Sequence, residues 1–258
     1  MNPFGEPTPR TGSAASRGRI LRLRDIALTR IQPDGRFELR VPAFEVARGE
    51  FIAVTGESGC GKSTLLDMLA LVLRPDPGGR FLFDVDGAGQ DIGALWEHDD
   101  EPGLAAIRRA RLGYVPQSGG LLPFLRVRAN LYLPPRLNRQ RGYRERIERQ
   151  ASELGIDGLL DRLPSTLSGG QRQRAAILRA IAHQPALVLA DEPTAAVDAA
   201  RARHIMASFQ ELARRQRTAI VLVTHDEQLV ADACDRHYGF SVTASDERHV
   251  VSTCRRLA

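Results

Sequence analysis

The sequence predicts an α/β fold, in which short apolar strands alternate with helices and a glycine-rich turn joins one strand to the next helix. Phe51-Ile-Ala-Val-Thr55 is a continuous apolar run, as expected of a strand buried on both faces of a sheet. Gly56–Gly61 is the glycine-rich turn, and Ser63–Leu73 reads as a helix stopped by Arg74-Pro75-Asp76-Pro77-Gly78. Leu112–Pro116, Ala186–Ala190 and Ala219–Thr224 read as further strands. Between the last two, Ala199–Gln216 carries Ile205, Phe209 and Leu212 at helical spacing, which gives one buried face.

The stretch from about Gln117 to Leu167 differs in character. It is arginine-rich, lacks β-branched runs and contains helical patterns such as Arg144–Leu154, so it reads as a helical insertion, with a boundary near residue 175, in the α/β core. Asp84–Gly103 is an acidic, glycine-rich connection containing the single Trp96, with no chemistry assigned to it. Residues 1–19 are rich in Pro, Gly and Ser and read as a disordered tail without a secretory signal. Residues 20–258 then read as one domain. No run approaches the ~20 apolar residues of a spanning helix. The cysteines Cys60, Cys234 and Cys254 show neither metal-ligand nor disulfide spacing, so reduced thiols in the cytoplasm are expected.

A formal net charge of +5 raises nucleic acid as a partner. The arginines are spread along the chain, however, and their cluster at Arg136–Arg149 holds the single aromatic Tyr143 and no stacking platform, so nucleic acid is not expected. All but one of the 36 basic residues are arginine, and the exception is Lys62.

That lysine lies in Gly56-Glu57-Ser58-Gly59-Cys60-Gly61-Lys62-Ser63, which fits G-x-x-x-x-G-K-[ST] between a strand and a helix. Glycines let successive N–H groups curl around a phosphate, and the helix N-terminus adds partial positive charge. Lys62 is expected to reach the β- and γ-phosphates and Ser63 to ligate Mg²⁺. A compact ammonium fits there where a planar guanidinium does not. Downstream, Leu187-Val-Leu-Ala-Asp191-Glu192 is an apolar strand ending in two acids. Asp191 suits support of the Mg²⁺, and Glu192 suits polarisation of the attacking water. Leu167 is followed by Ser168-Gly169-Gly170-Gln171, another anion-binding helix start, which a second copy of the chain has to bring to the nucleotide.

Taken in order, Gly56–Thr64, Gln117, Leu167–Gln171, Leu187–Glu192, Ala195–Asp198 and His225 resemble the nucleotide-binding domain of ATP-binding-cassette (ABC) proteins over residues 20 to 240. The resemblance implies a P-loop ATPase core with an N-terminal antiparallel β-subdomain and an inserted helical subdomain. It further implies a head-to-tail homodimer around two ATP and Mg²⁺, each nucleotide between one copy's Lys62 loop (Gly56 to Thr64) and the other's Ser168–Gln171. By the same resemblance Gln117 is the Q-loop glutamine near the metal, His225 contacts the γ-phosphate, and Asp198 is the D-loop aspartate. Two departures stand out. Val197 replaces the usual leucine before Asp198, and the aromatic nearest the expected adenine-stacking position is Phe37, which is either the stacking residue or strand core. The stretch after Asp235 shows no familiar pattern.

The flanks of the phosphate loop and Leu121-Leu122-Pro123 look most like the lipoprotein-release and macrolide-efflux ATPases. That likeness implies an integral membrane permease as partner and a peripheral position on the inner face of the cell membrane. Leu121, Leu122 and Phe124 are either its docking surface or local core. A soluble ABC ATPase on a cytosolic scaffold, such as one for iron–sulfur assembly, is the alternative. A module that binds ATP without turnover is disfavoured because Glu192 and His225 are both present.

Overall fold

A computed structural model of the chain describes residues 18–32, 35–84, 89–194, 199–231, 233–246 and 249–257. The elements in chain order are β1 (Arg19–Gln32), β2 (Gly35–Ala47), β3 (Phe51–Thr55), α1 (Lys62–Leu69), β4 (Arg80–Phe83), β5 (Gln90–Asp91), α2 (Ile92–Glu97), α3 (Glu101–Arg111) and β6 (Leu112–Val115). There follow α4 (Val127–Leu137), α5 (Tyr143–Glu153), α6 (Gly169–Ile181), β7 (Leu187–Asp191), α7 (Ala199–Gln216), β8 (Ala219–Thr224), α8 (Glu227–Val230), β9 (Arg236–Asp246) and β10 (His249–Arg256).

All the strands lie in one ten-stranded sheet of order β5-β4-β1-β2-β10-β9-β3-β8-β7-β6. The half from β9 to β6 is parallel, and β5, β4, β1 and β2 pair antiparallel. β3 and β8 are buried along their whole length because helices cover both faces of the parallel half. Ile52 and Val54 point into one core with α1, while Phe51 and Ala53 point into the other with α6 and α7. That double burial is what makes Phe51–Thr55 and Ala219–Thr224 continuous apolar runs.

Several expectations shift. The first helix ends at Leu69 rather than Leu73, because Leu71 takes a left-handed φ of 59° that no helix continues through. Asp84–Gly103 is more than a connection. It holds β5, α2 capped by Asp91, and the start of α3 capped by Asp100, and Trp96 packs on the core. The stretch after Asp235 is the antiparallel hairpin β9–β10, and it joins the two halves of the sheet by pairing parallel to both β3 and β2. Helix α7 runs Ala199–Gln216 as expected, with Ile205 and Phe209 buried, while the side chain of Leu212 lies outside the described residues. β1 begins at Arg19, inside the expected tail; residues 1–17 lie outside the described residues. The thiols of Cys60, Cys234 and Cys254 are free.

The hairpin is fastened to the turn before β3 by an ion pair out of water. Arg236 Nε lies 2.7 Å from Glu50 Oε1, and the Glu50 side chain is only 4% exposed. The other carboxylate oxygen accepts from Ala47 N at 2.7 Å. Removing one partner of such a pair strands a buried charge, at a cost of about 3–5 kcal/mol. Arg236→Ala is expected to lower unfolding free energy by about that much in urea titration. A loss of only a few tenths of a kcal/mol, as for an exposed pair, would contradict this account of the junction.

Candidate functional site

The parallel strands β3, β7 and β8 end side by side, and the residues following them make the site. Thr55 ends β3, and the loop Gly56–Gly61 leads into α1. Gly59 and Gly61 have φ of 81° and 105°, which side-chain-bearing residues rarely adopt. A Cβ on Gly61 would also stand 2.9 Å from Phe37 Cζ, so the ring and the loop compete for that space. Glu57, Ser58 and Gly59 form the exposed rim, whereas Cys60 turns inward and is buried. Burial pushes its thiol above the ordinary value.

Lys62 opens α1, and its side chain folds back into the loop. Nζ donates to Gly56 O at 2.7 Å and to Glu57 O at 2.8 Å, and lies 3.8 Å from Glu192 Oε1. Ser63, next on the helix, donates from Oγ to Asp191 Oδ1 at 3.4 Å. Thr64 is half-buried in the same first turn. Asp191 ends β7, and burial raises its carboxyl above the usual range, with Glu192 and Asp67 adding repulsion against the Ser63 hydrogen bond. Glu192 follows in a left-handed conformation, φ 42°, with its N–H bonded to Val223 O. A non-glycine residue there is a strained one. Its Oε2 lies 3.0 Å from Nδ1 of His225, which follows β8 and is itself exposed. Lys62, Glu192 and His225, far apart in sequence, thus form one line of contacts.

Gln117 is exposed in the turn after β6, the neighbour of β7. Ser168 caps α6 in a reciprocal box: its Oγ accepts from Gln171 N, and Gln171 Oε1 accepts from Ser168 N at 3.0 Å. Ser168 and Gly169 are exposed, Gly170 is half-buried, and a Cβ on Gly169 would meet nothing within 4 Å. No hydrogen bond or ion pair joins Ser168–Gln171 to the Lys62 loop among the described residues. Ala195–Asp198 lies outside the described residues, Asp198 included. Phe37 is half-buried, packed on the core and against Gly61.

Other supports carry no local motif. Thr55 Oγ1 meets His237 Nε2 at 2.8 Å and donates to Glu227 Oε1 at 3.3 Å, linking the loop's strand to β9 and to the turn after His225. Tyr114 donates to Asp67 on α1 at 3.3 Å, and burial beside two carboxylates raises its phenol. The only sequence signal for either set is adjacency to a motif, Thr55 before Gly56 and Tyr114 before Gln117.

A family model described as "ABC transporter" matches residues 39–195. The chain belongs to the ABC transporter family. It is similar to the lipoprotein-releasing system ATP-binding protein LolD of Anaeromyxobacter dehalogenans, 41% identical over 74% of this chain and 77% of that one. It is also similar to the bacitracin export ATP-binding protein BceA of Halalkalibacterium halodurans, 36% identical over 74% of this chain and 72% of that one. Among solved structures, the dimeric post-hydrolysis state of the ATP-binding cassette MJ0796 bound to ADP and Pi superposes with a TM-score of 0.72. That match is 28% identical and covers 93% of this chain and 99% of the other. The protein is therefore the ATP-binding subunit of an ABC transporter and an ATPase, with the cassette fold.

ATP and Mg²⁺ are the family's substrate and cofactor, and the residues here fit both. A hydroxyl and a carboxylate facing one another at Ser63 and Asp191 are the hard oxygen donors that Mg²⁺ takes. The buried ammonium of Lys62 and the glycine-built loop suit a polyphosphate. Gly61→Ala and Gly78→Ala impose similar backbone strain (φ 105° and 109°), but only at Gly61 would the new Cβ meet a neighbour within 4 Å. Both are expected to lose stability, of order 1–3 kcal/mol. Only Gly61→Ala is expected to lose ATP binding, as titration with a fluorescent analogue will report; unchanged affinity there would contradict the role given to the loop.

Proposed function

We propose that two copies of this chain close head to tail on two MgATP, and that hydrolysis reopens them to drive a separate membrane subunit. The observation that carries the reading is Glu192, whose carboxylate stands between the Lys62 ammonium and the His225 imidazole at the end of β7.

In that reading Lys62 neutralises the β- and γ-phosphates, and N–H groups of Gly59, Gly61, Lys62, Ser63 and Thr64 cradle them. Ser63 and Asp191, with Gln117 from the adjacent strand end, would hold Mg²⁺, which supplies charge neutralisation at the phosphate oxygens. Glu192 orients water and accepts its proton, and His225 positions the carboxylate and contacts the γ-phosphate. Asp198 would act at the dimer seam. The second copy supplies Ser168, Gly169, Gly170 and Gln171, since among the described residues that helix start has no bond to its own chain's phosphate loop. ATP binds the closed dimer better than the open one, and hydrolysis removes that preference.

Docking of the membrane subunit falls to the turn after Gln117. Phe124 is 74% exposed there, whereas Leu121 packs partly into the helical core, so the triad of Leu121, Leu122 and Phe124 divides between the two roles. The turn is braced from within. Asn130, fully buried, accepts from Leu122 N at 2.7 Å and donates to Leu122 O and Leu125 O at 3.1 and 2.9 Å. A rigid loop presenting one aromatic suits an anchor for a partner helix. No helix among the described residues is long and apolar enough to cross a membrane, so membrane attachment in this reading comes through the partner. The likeness to the lipoprotein-releasing and bacitracin-export proteins supports a transport partner rather than a scaffold in the cytoplasm.

Glu192→Gln keeps shape and removes the proton acceptor. Turnover is expected to fall ~10²–10⁴-fold while ATP affinity persists; undiminished phosphate release would sink the assignment. With the same variant tagged and isolated from detergent-solubilised membranes, a stoichiometric polytopic membrane protein is expected by mass spectrometry. Phe124→Asp is expected to abolish that copurification without lowering the ATPase rate of the isolated chain. Recovery of soluble partners alone would favour the scaffold-bound alternative.

A further inference from the structure

Ser252 is polar, fully buried and remote in sequence from every motif above. It sits in β10, where its backbone is pinned on both sides: it is paired with Leu39 of β2 and with Val242 of β9. Its hydroxyl donates to the carbonyl of Cys60, inside the phosphate loop. A hydroxyl buried in this way needs a partner, and among the described residues this carbonyl is the one it has.

The consequence follows from peptide geometry. The chain has no cis bonds among the described residues, and in a trans peptide C=O and N–H point in opposite directions. A Cys60 carbonyl held toward β10 therefore turns the Gly61 N–H away from β10. Left alone, a loop with glycines at Gly59 and Gly61 has the freedom to flip that peptide. The strand carrying Ser252 has no such freedom.

We propose that Ser252 is a positioning residue for nucleotide binding, its hydroxyl fixing the Cys60–Gly61 peptide with the N–H presented to phosphate. The proposal rests on the reading of Gly56–Thr64 as the phosphate site. The Cys60 side chain lies inward, with Sγ 2.7 Å from where a Cβ on Gly56 would stand, and only its carbonyl is held by β10. Cys254, two residues beyond Ser252, is fully buried and its thiol is pushed up to about 12 by that burial, so it serves as packing rather than as a reactive neighbour. Phe240, the register partner of Cys254 on β9, packs against Gly56 and Gly61 from the same side. The hairpin thus backs the loop with a ring and holds one of its peptides with a hydroxyl.

The test compares full-length variants by melting temperature without nucleotide and by equilibrium titration with a fluorescent ATP analogue and Mg²⁺. Ser252→Ala is expected to weaken binding about tenfold, the effect of losing one orienting hydrogen bond. Leu39→Val, which loosens the register partner without touching the hydroxyl, is expected to lower the melting temperature and leave affinity unchanged. Ser252→Thr keeps the hydroxyl and is expected to restore affinity even where its extra methyl lowers the melting temperature. Wild-type affinity in Ser252→Ala, or equal weakening in Leu39→Val, would overturn the proposal. Lys62→Ala tells the two possible failures apart. If it binds like the wild type, the reading of the loop itself fails and the proposal with it. If it loses binding while Ser252→Ala keeps it, the Ser252 role alone is wrong.

Discussion

The ammonium of Lys62 is buried, and a buried cation is tolerated only where fixed dipoles or an opposite charge replace the water it has lost. Here two carbonyls of its own loop do so, at Gly56 and Glu57, with Glu192 beyond them at 3.8 Å. Satisfying that one group requires the loop to curl back on itself, which requires left-handed conformations at Gly59 and Gly61. It also requires β3 and β7, on either side of β8, to end at the same edge of the sheet, so that the residue after Asp191 reaches the ammonium. The parallel half of the sheet, buried on both faces, holds those strand ends in register. The strain at Glu192, φ 42°, is then the local cost of aiming a carboxylate at both Lys62 and His225.

The rest of the molecule is arranged behind that loop. Hairpin β9–β10 closes the gap between the antiparallel and parallel halves and meets the end of β3 once and the loop after it through two residues. His237 touches Thr55, Phe240 packs on Gly56 and Gly61, and Ser252 holds the Cys60 carbonyl. The Arg236–Glu50 pair fastens the base of the hairpin where the Glu50 carboxylate is buried. On the other side, the helices α4 to α6 share one core and carry the Ser168 cap and the Asn130-braced turn of Phe124, so in the proposed reading one packed unit connects the helix start offered to a second copy with the surface offered to a membrane partner.

Much of this was legible in the sequence, for physical reasons that also mark where it was not. Phe51–Thr55 and Ala219–Thr224 are readable because double burial leaves no polar alternation. The phosphate loop is readable because its chemistry tolerates few residues, and the single lysine among arginines underlines it. The hairpin β9–β10 was illegible because its strands lie between sheet halves with one face partly wet: Val242 and Val250 are exposed while Ser252 is buried, the reverse of what hydropathy suggests. The early end of α1 turns on the backbone of Leu71, an apolar residue that nothing in the sequence marks as left-handed. Ser252, Thr55 and His237 gain their meaning only from strand pairing, which brings residues some 190 positions apart within hydrogen-bond reach.

The central claim is that this chain holds half of each nucleotide site and a second copy holds the other half. Sedimentation velocity of Glu192→Gln, with and without MgATP, tests it most directly. A monomer that becomes a dimer only with MgATP, and stays a monomer when Ser168→Glu is added although ATP still binds, is the result expected. A Glu192→Gln chain that binds ATP and remains monomeric at every concentration, or a dimer indifferent to Ser168→Glu, would contradict the account.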